Sequence, residues 1–240
     1  MAYQQPLFFK SPVAIQAEAH ANAGISSAVN FKFAKLSNSV PINIQEFGYV
    51  CKNYPIVFTS DASCVPVAVL GLENSVNVFV NDKGDWEKGT YIPAYVRRYP
   101  FAFTSSAEGN LVLCVDESAD RFKKNASSGD MLFFNNGEQT EFIKSVLNYC
   151  AEFHRDQHAS QQFGQELNNR GLLIEKQISA NVEGRTAPIS LSGFKMVDEE
   201  KLNQLDNDTI LKWHKNGYLS LIYFHLLSGS NWQQLSLRTK

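Results

Sequence analysis

The chain lacks any marked excess of charge: its 240 residues carry 22 Lys+Arg against 24 Asp+Glu, a formal net charge of -2. With no basic surplus to gather phosphates, general nucleic-acid binding is disfavoured. Cysteine is scarce. Cys51, Cys64, Cys114 and Cys150 form no CxxC pair that would deliver two thiolates to one metal, so they read as free, mostly buried thiols. Long apolar runs are missing as well: the longest nearly apolar stretch, 64–72, is far shorter than the roughly 20 residues of a membrane-crossing helix. Residues 1–20 have no basic start followed by a sustained apolar run, because Lys10 and Gln16 interrupt it. A soluble cytoplasmic protein with no membrane span is expected. What the chain does have is 44% hydrophobic and 12% aromatic residues, enough to bury a substantial core and to exclude disorder as the dominant state.

The length suits one domain or a compact pair sharing a core, and no low-complexity linker divides residues 1–240. Residues 1–40 read as an irregular arm with one strand, carried by the alternation of Phe31, Phe33 and Leu36. Asn43 and Glu46 then stand at capping-box spacing before Ile44, Phe47, Val50 and Cys51. That helix stops at Tyr54-Pro55, where a strand begins. Residues 66–72 and 76–80 read as two further strands, the latter followed by turn residues Asn81 to Gly84.

The segment that follows repeats this order. Pro93 suits the start of a short helix over 94–98, which ends before Tyr99-Pro100. The seven residues from Tyr54 and the seven from Tyr99 agree at five positions and lie 45 residues apart (99 minus 54). Strands over 111–115 and 131–134 and a helix follow. Two readings stand at this point: duplication of a strand-strand-strand-helix unit, with repeats at 54–98 and 99–150, or chance recurrence of a common helix-to-strand junction. The long helix carries Phe142, Val146, Cys150 and Phe153 on one stripe, with Thr140 as its cap and Gly171 just past its end. Over 172–240 the pattern is a hairpin turning at Glu183-Gly184-Arg185, a short helix capped by Asp198, and a final helix from Asp208 that Gly217 kinks or divides. The fold class expected is α+β, a largely antiparallel sheet with covering helices.

Chemistry-bearing residues are few. His154 and His158 have the i,i+4 spacing of a metal pair, but the neighbouring glutamate of a zinc protease and a third ligand are missing, so a solvated face is the simpler reading and no metal is expected. On an unbroken helix His214 and His225, eleven apart, would share a stripe with Tyr218 and Ser228, lining a pocket or bonded within the core. Arg97 and Arg98 end a short helix among Tyr95, Tyr99 and Phe101, where guanidinium groups either clamp an anion or satisfy helix carbonyls or an internal carboxylate such as Asp116 or Glu117. Being adjacent on a helix, they should point about 100° apart, one into the fold and one outward. No GxSxG, GxxxxGK or GxGxxG string occurs, so no cofactor is expected.

Several strings together resemble the SapC family of bacterial proteins: Tyr91-Ile92-Pro93-Ala94-Tyr95-Val96-Arg97-Arg98-Tyr99-Pro100-Phe101, Tyr54-Pro55-Ile56-Val57-Phe58, Leu191-Ser192-Gly193-Phe194 and His225-Leu226-Leu227-Ser228. The resemblance spans about 7–235, with Gly229 standing where the family usually has leucine. It implies an association with a surface-layer gene system and a genomic setting beside halogenase-like and cupin-like proteins and outer-membrane receptors. It brings no catalytic residues. The expected role is a non-enzymatic accessory protein that binds a protein partner or a small anionic ligand through Arg97, Arg98, His225, Tyr95 and Ser228. The alternatives are an enzyme using the same arginines and His225, and a surface-layer structural or assembly protein.

Overall fold

Local chemistry sets the first helix. The Asn43 backbone N–H donates to the Glu46 carboxylate at 2.9 Å, closing the turn that the spacing implied. A 3-10 turn, Ile44–Glu46, runs from it into a short α-helix that buries Phe47 and Val50 completely. Each such burial contributes roughly 1.5–3 kcal/mol.

The computed structural model describes residues 7–105, 110–182 and 185–239. In chain order the elements begin with β1 (Pro12–Ala14), β2 (Gly24–Ile25), β3 (Ser39–Pro41), α1 (Phe47–Val50), β4 (Ile56–Thr59), β5 (Pro66–Val69) and α2 (Ala94–Arg97). They continue with β6 (Phe101–Ser105), β7 (Leu111–Asp116), β8 (Phe122–Lys123), β9 (Met131–Leu132), β10 (Phe134–Asn135), β11 (Glu138–Gln139) and α3 (Glu141–Asn169). Last come β12 (Leu173–Ala180), β13 (Ile189–Val197), α4 (Glu199–Leu202), α5 (Asn207–Asn216), α6 (Tyr218–Ser228) and α7 (Asn231–Arg238). Helices and wholly antiparallel sheets make this an α+β fold, as the sequence pattern required.

The chain forms two compact units, each interleaved in sequence with the other. The first comprises 1–33 and 96–155. It holds the sheet β1-β7-β6, the small sheet β8-β2-β9 and the hairpin β10-β11. Its core gathers Ile25, Phe101, Leu113, Val115 and Phe133 against Ile143 and Cys150 of α3. Thr140 caps that helix, its hydroxyl accepting from Ile143 N at 3.3 Å, and Gly171 ends it with φ 70. The second unit, 34–95 and 156–240, holds the five-stranded sheet β12-β13-β4-β5-β3. Strand β4 is buried on both faces: Phe58 meets Phe163 and His225 on one side, while Val57 pairs with Val67 of β5 on the other.

Some expectations are corrected. Residues 76–80 form no strand, only a single bridge between Val80 and Trp86. The Asn77 side chain explains this, donating to Ala34 O at 3.1 Å and accepting from Phe79 N at 2.9 Å, so it holds the segment in an irregular path. The alternation at Phe31, Phe33 and Leu36 is likewise no strand; a 3-10 turn, Lys32–Ala34, points Phe33 at Tyr99 with ring centroids 4.2 Å apart. The helix-TyrPro-hairpin order recurs at β4-β5 and β6-β7, but the third strand does not, so duplication of the longer unit is unestablished. The final helix starts from an Asp206 cap rather than Asp208, and Gly217, with φ 84, divides it into α5 and α6. The β12-β13 hairpin forms as expected; the turn residues Glu183 and Gly184 lie outside the described residues. All four cysteines are free thiols, Cys51 half-buried and the rest buried.

Gly164 sets the approach of α3 to the loop before β5. A Cβ there would stand 1.9 Å from the Cys64 carbonyl oxygen, which is backbone and cannot swing aside. Gly164→Ala should therefore destabilise the protein by about 1–3 kcal/mol, read as a lower urea midpoint at unchanged slope; an unshifted midpoint would show that the helix has room to move.

Candidate functional site

The residues singled out from the sequence separate into two environments. Arg97 and Arg98 belong to the first unit, whereas His225 and Ser228 belong to the second. Tyr95, also in the second, is buried. His214 is exposed on α5 and His225 is buried on α6, so the break at Gly217 prevents the shared stripe.

His225 is fully occupied by backbone. Strands β4 and β13 pair at Phe58 with Lys195, and continuing that register would set Val197 opposite Ile56. The strands have separated there, and the imidazole fills the gap. Its Nδ1 donates to Ile56 O at 2.8 Å while its Nε2 accepts from Val197 N at 3.1 Å, which fixes the neutral tautomer. Ser228 completes the substitution, its hydroxyl accepting from Ile56 N at 2.9 Å and donating to His225 O. Burial pushes the imidazole down to about 4, with the Ile56 carbonyl opposing in part. The pair is a structural splice between helix and sheet.

The arginines stand differently. The preceding Tyr91-Ile92-Pro93 stretch is anchored by Tyr91 O accepting from the Tyr54 hydroxyl at 2.6 Å, and the N-terminus of α2 by Ala94 N donating to the buried Glu46 carboxylate at 2.6 Å. One turn later Arg97 is exposed and Arg98 is buried, as two adjacent helical positions require. The Arg98 guanidinium lies 4.6 Å from the Phe153 ring centroid and 5.8 Å from that of Phe9; Arg97 lies 5.7 Å from that of Tyr149. The carboxylates considered as partners for Arg98 are engaged elsewhere. Asp116 accepts from Lys10 N, Ser11 N, Ser118 N and the Ser118 and Tyr99 hydroxyls, and Glu117 lies 3.3 Å from His20 Nε2.

Both arginines line a pocket of about 410 Å³ within the first unit. A third cation joins them. Arg121, half-buried, donates from Nε and Nη2 to the single carbonyl of Ser26 at 3.1 and 2.9 Å, and burial lowers its pKa from the usual guanidinium range. Phe142, Val146 and Tyr149 form one wall at helical spacing, about 10 Å of α3 at 1.5 Å per residue. Phe101 and Met131 contribute further apolar surface, and among the described residues no aspartate or glutamate lines the pocket. Cys150 also faces it, but burial raises its thiol to about 11 against the lowering pull of Arg98, so it is protonated at neutral pH. Arg121 escaped the sequence reading because Asp120, Lys123 and Lys124 around it have the look of a solvated charge run.

Among the described residues no three His, Cys, Asp or Glu side chains gather as a metal site, His154 and His158 included. No described helix is long and apolar enough to cross a membrane. The fold and pocket define an α+β protein with an arginine-lined, apolar-walled recess. The SapC family model matches residues 15–235, most of the chain, and the protein belongs to that family. Neither the curated proteins nor the solved structures contain a match to it.

The His225 splice has a pH signature. Below the unfolded-state value near 6.5 the unfolded chain takes up a proton that the folded chain refuses until about 4, so this contribution is complete above pH 6.5 and falls as pH drops toward 4. Between pH 7.5 and pH 5 it should diminish by about 2 kcal/mol. His225→Asn, which cannot titrate, should be less stable at pH 7.5, with the gap to the parent narrowing at pH 5. Parallel urea melts would read it, and a gap that is constant with pH would contradict the neutral splice.

Proposed function

We propose that this SapC-family protein is a non-enzymatic accessory protein that binds a small anionic ligand in the Arg97, Arg98 and Arg121 pocket. Arg121 is the observation that carries the reading. Arg170, Arg185 and Arg238 each pair with a glutamate at 3.1 Å or less, whereas among the described residues Arg121 meets only the Ser26 carbonyl. A half-buried cation without a counter-charge is unfavourable, and an anion entering beside it would supply the missing charge. The planar guanidinium suits a carboxylate or phosphate, and the aromatic wall suits an apolar body attached to it. An enzymatic use of His225 finds little support, since both of its ring nitrogens are taken by backbone. A surface-layer role rests on the family name alone.

Benzoate, octanoate and inorganic phosphate, set against neutral benzamide, would test the reading by calorimetry and thermal shift. One or more of the anions should bind saturably and raise Tm, and benzamide should not. Arg121→Ala should weaken binding roughly 10- to 100-fold, the worth of one charge-assisted hydrogen bond, while Arg155→Ala, an exposed position on α3, should leave it unchanged. Absence of anion binding, or equal binding by Arg121→Ala, would refute the reading.

A further inference from the structure

The second unit holds a recess of another chemical kind. Its five-stranded sheet turns one face toward Phe163 and His225. On the opposite face a cavity of about 230 Å³ opens over Val57, Val67 and Val69. Strand β13 shapes it. That strand pairs with β4 only at Phe194 and Lys195, so the stretch before Phe194 runs past the end of β4 as an arm paired with β12 alone. Gly193 makes the bend possible with φ 83, a conformation that a side chain disfavours. Opposite the bend, β12 shifts register between Lys176 and Ile178. Farther along the arm, Arg185 grips Glu73 with two hydrogen bonds, 2.8 and 3.1 Å, which ties the arm to the loop that carries Asn74.

Among the described residues the lining of this cavity contains no charged side chain. Asn38, Ser39, Asn74 and Ser192 are among the residues that line it, and among the described residues none of these four side chains hydrogen-bonds within the protein. Thr59, also on the rim, contrasts with them, since its hydroxyl already donates to Asp61 and accepts from Val65 N. The Phe194 ring completes the apolar surface, held from behind by Trp232 with centroids 5.7 Å apart at 26°.

We propose that this cavity is a second binding site, independent of the arginine pocket, and that it takes a neutral, hydroxyl-bearing ligand of monosaccharide size. A purely apolar occupant would strip water from four polar side chains and return no hydrogen bonds. An anion would find no cation. A sugar satisfies both surfaces, with its hydroxyls exchanging hydrogen bonds with amide and serine groups that both donate and accept, and its C–H face lying on Phe194 and the valines. The volume, below the roughly 300 Å³ of pockets for drug-sized ligands, limits the occupant to one ring.

Glucose, galactose and N-acetylglucosamine, each up to about 50 mM, are the probes, with glucuronate and glucose 6-phosphate as charged counterparts. Calorimetry or ligand-observed NMR should show saturable binding of at least one neutral sugar and at least tenfold weaker binding of its charged analogue. The double substitution Asn38→Ala, Asn74→Ala should reduce affinity at least tenfold. Ser192→Trp, introduced at an exposed strand position, should block binding at unchanged Tm, and Arg121→Ala should leave it intact. The proposal fails if no neutral sugar saturates, if charged analogues bind equally well, or if both cavity variants bind as the parent does.

Discussion

The second unit depends on one imidazole that stands in for a rung of β-ladder. Where β13 leaves β4, the Ile56 carbonyl and the Val197 N–H would face a gap, and each would carry the penalty of a buried, unpaired backbone group. His225 spans that gap and Ser228 takes the remaining Ile56 N–H, so α6 is bonded to two strands rather than merely packed on them. The splice lies beyond Lys195, on the opposite side of the two-residue β4 pairing from the arm that precedes Phe194. Its neutrality matters too, because a charged imidazole cannot accept from Val197.

The two recesses divide polar chemistry between them. In the first unit, among the described residues, arginines carry all the formal charge of the lining, and Arg121 rests on the Ser26 carbonyl dipole. In the second, the polar groups are amides and hydroxyls over valines. Two reactive side chains of the fold are held quiet: the Cys150 thiol is protonated at neutral pH, and both ring nitrogens of His225 are taken by backbone. Binding is the activity we propose for both.

Much of the fold was legible because its signals are local. The capping pair Asn43 and Glu46, Thr140 and Gly171 at the ends of α3, the Asp198 cap and the β12-β13 alternation all act within a few residues, where sequence spacing is geometry. The failures have a common cause in contacts between distant positions. Residues 76–80 have strand composition, yet the Asn77 side chain is engaged by Ala34, 43 residues earlier. The imidazole of His225 bonds Ile56 across 169 residues, and no spacing rule reaches that far. Helix α7 passed unnoticed because its start has no side-chain cap to announce it. The candidate site was half legible: a helix end rich in arginine and tyrosine marked Arg97 and Arg98, while Arg121 joins them only through tertiary structure.

The interleaving of the two units bears on how the chain is made. Residues 1–33 belong with 96–155, and 34–95 belong with 156–240. As the polypeptide leaves the ribosome, its first 95 residues therefore contain the opening portion of both units and the whole of neither. The β1 strand waits for β7, and β4 waits for β13. The first unit has all of its residues only at position 155, while 34–95 of the second still wait for 156–240, unlike the one-after-another folding of tandem domains. The strand Ile56–Thr59 can pair with β5 early, but its other edge waits for β13 until the last third of the chain has emerged.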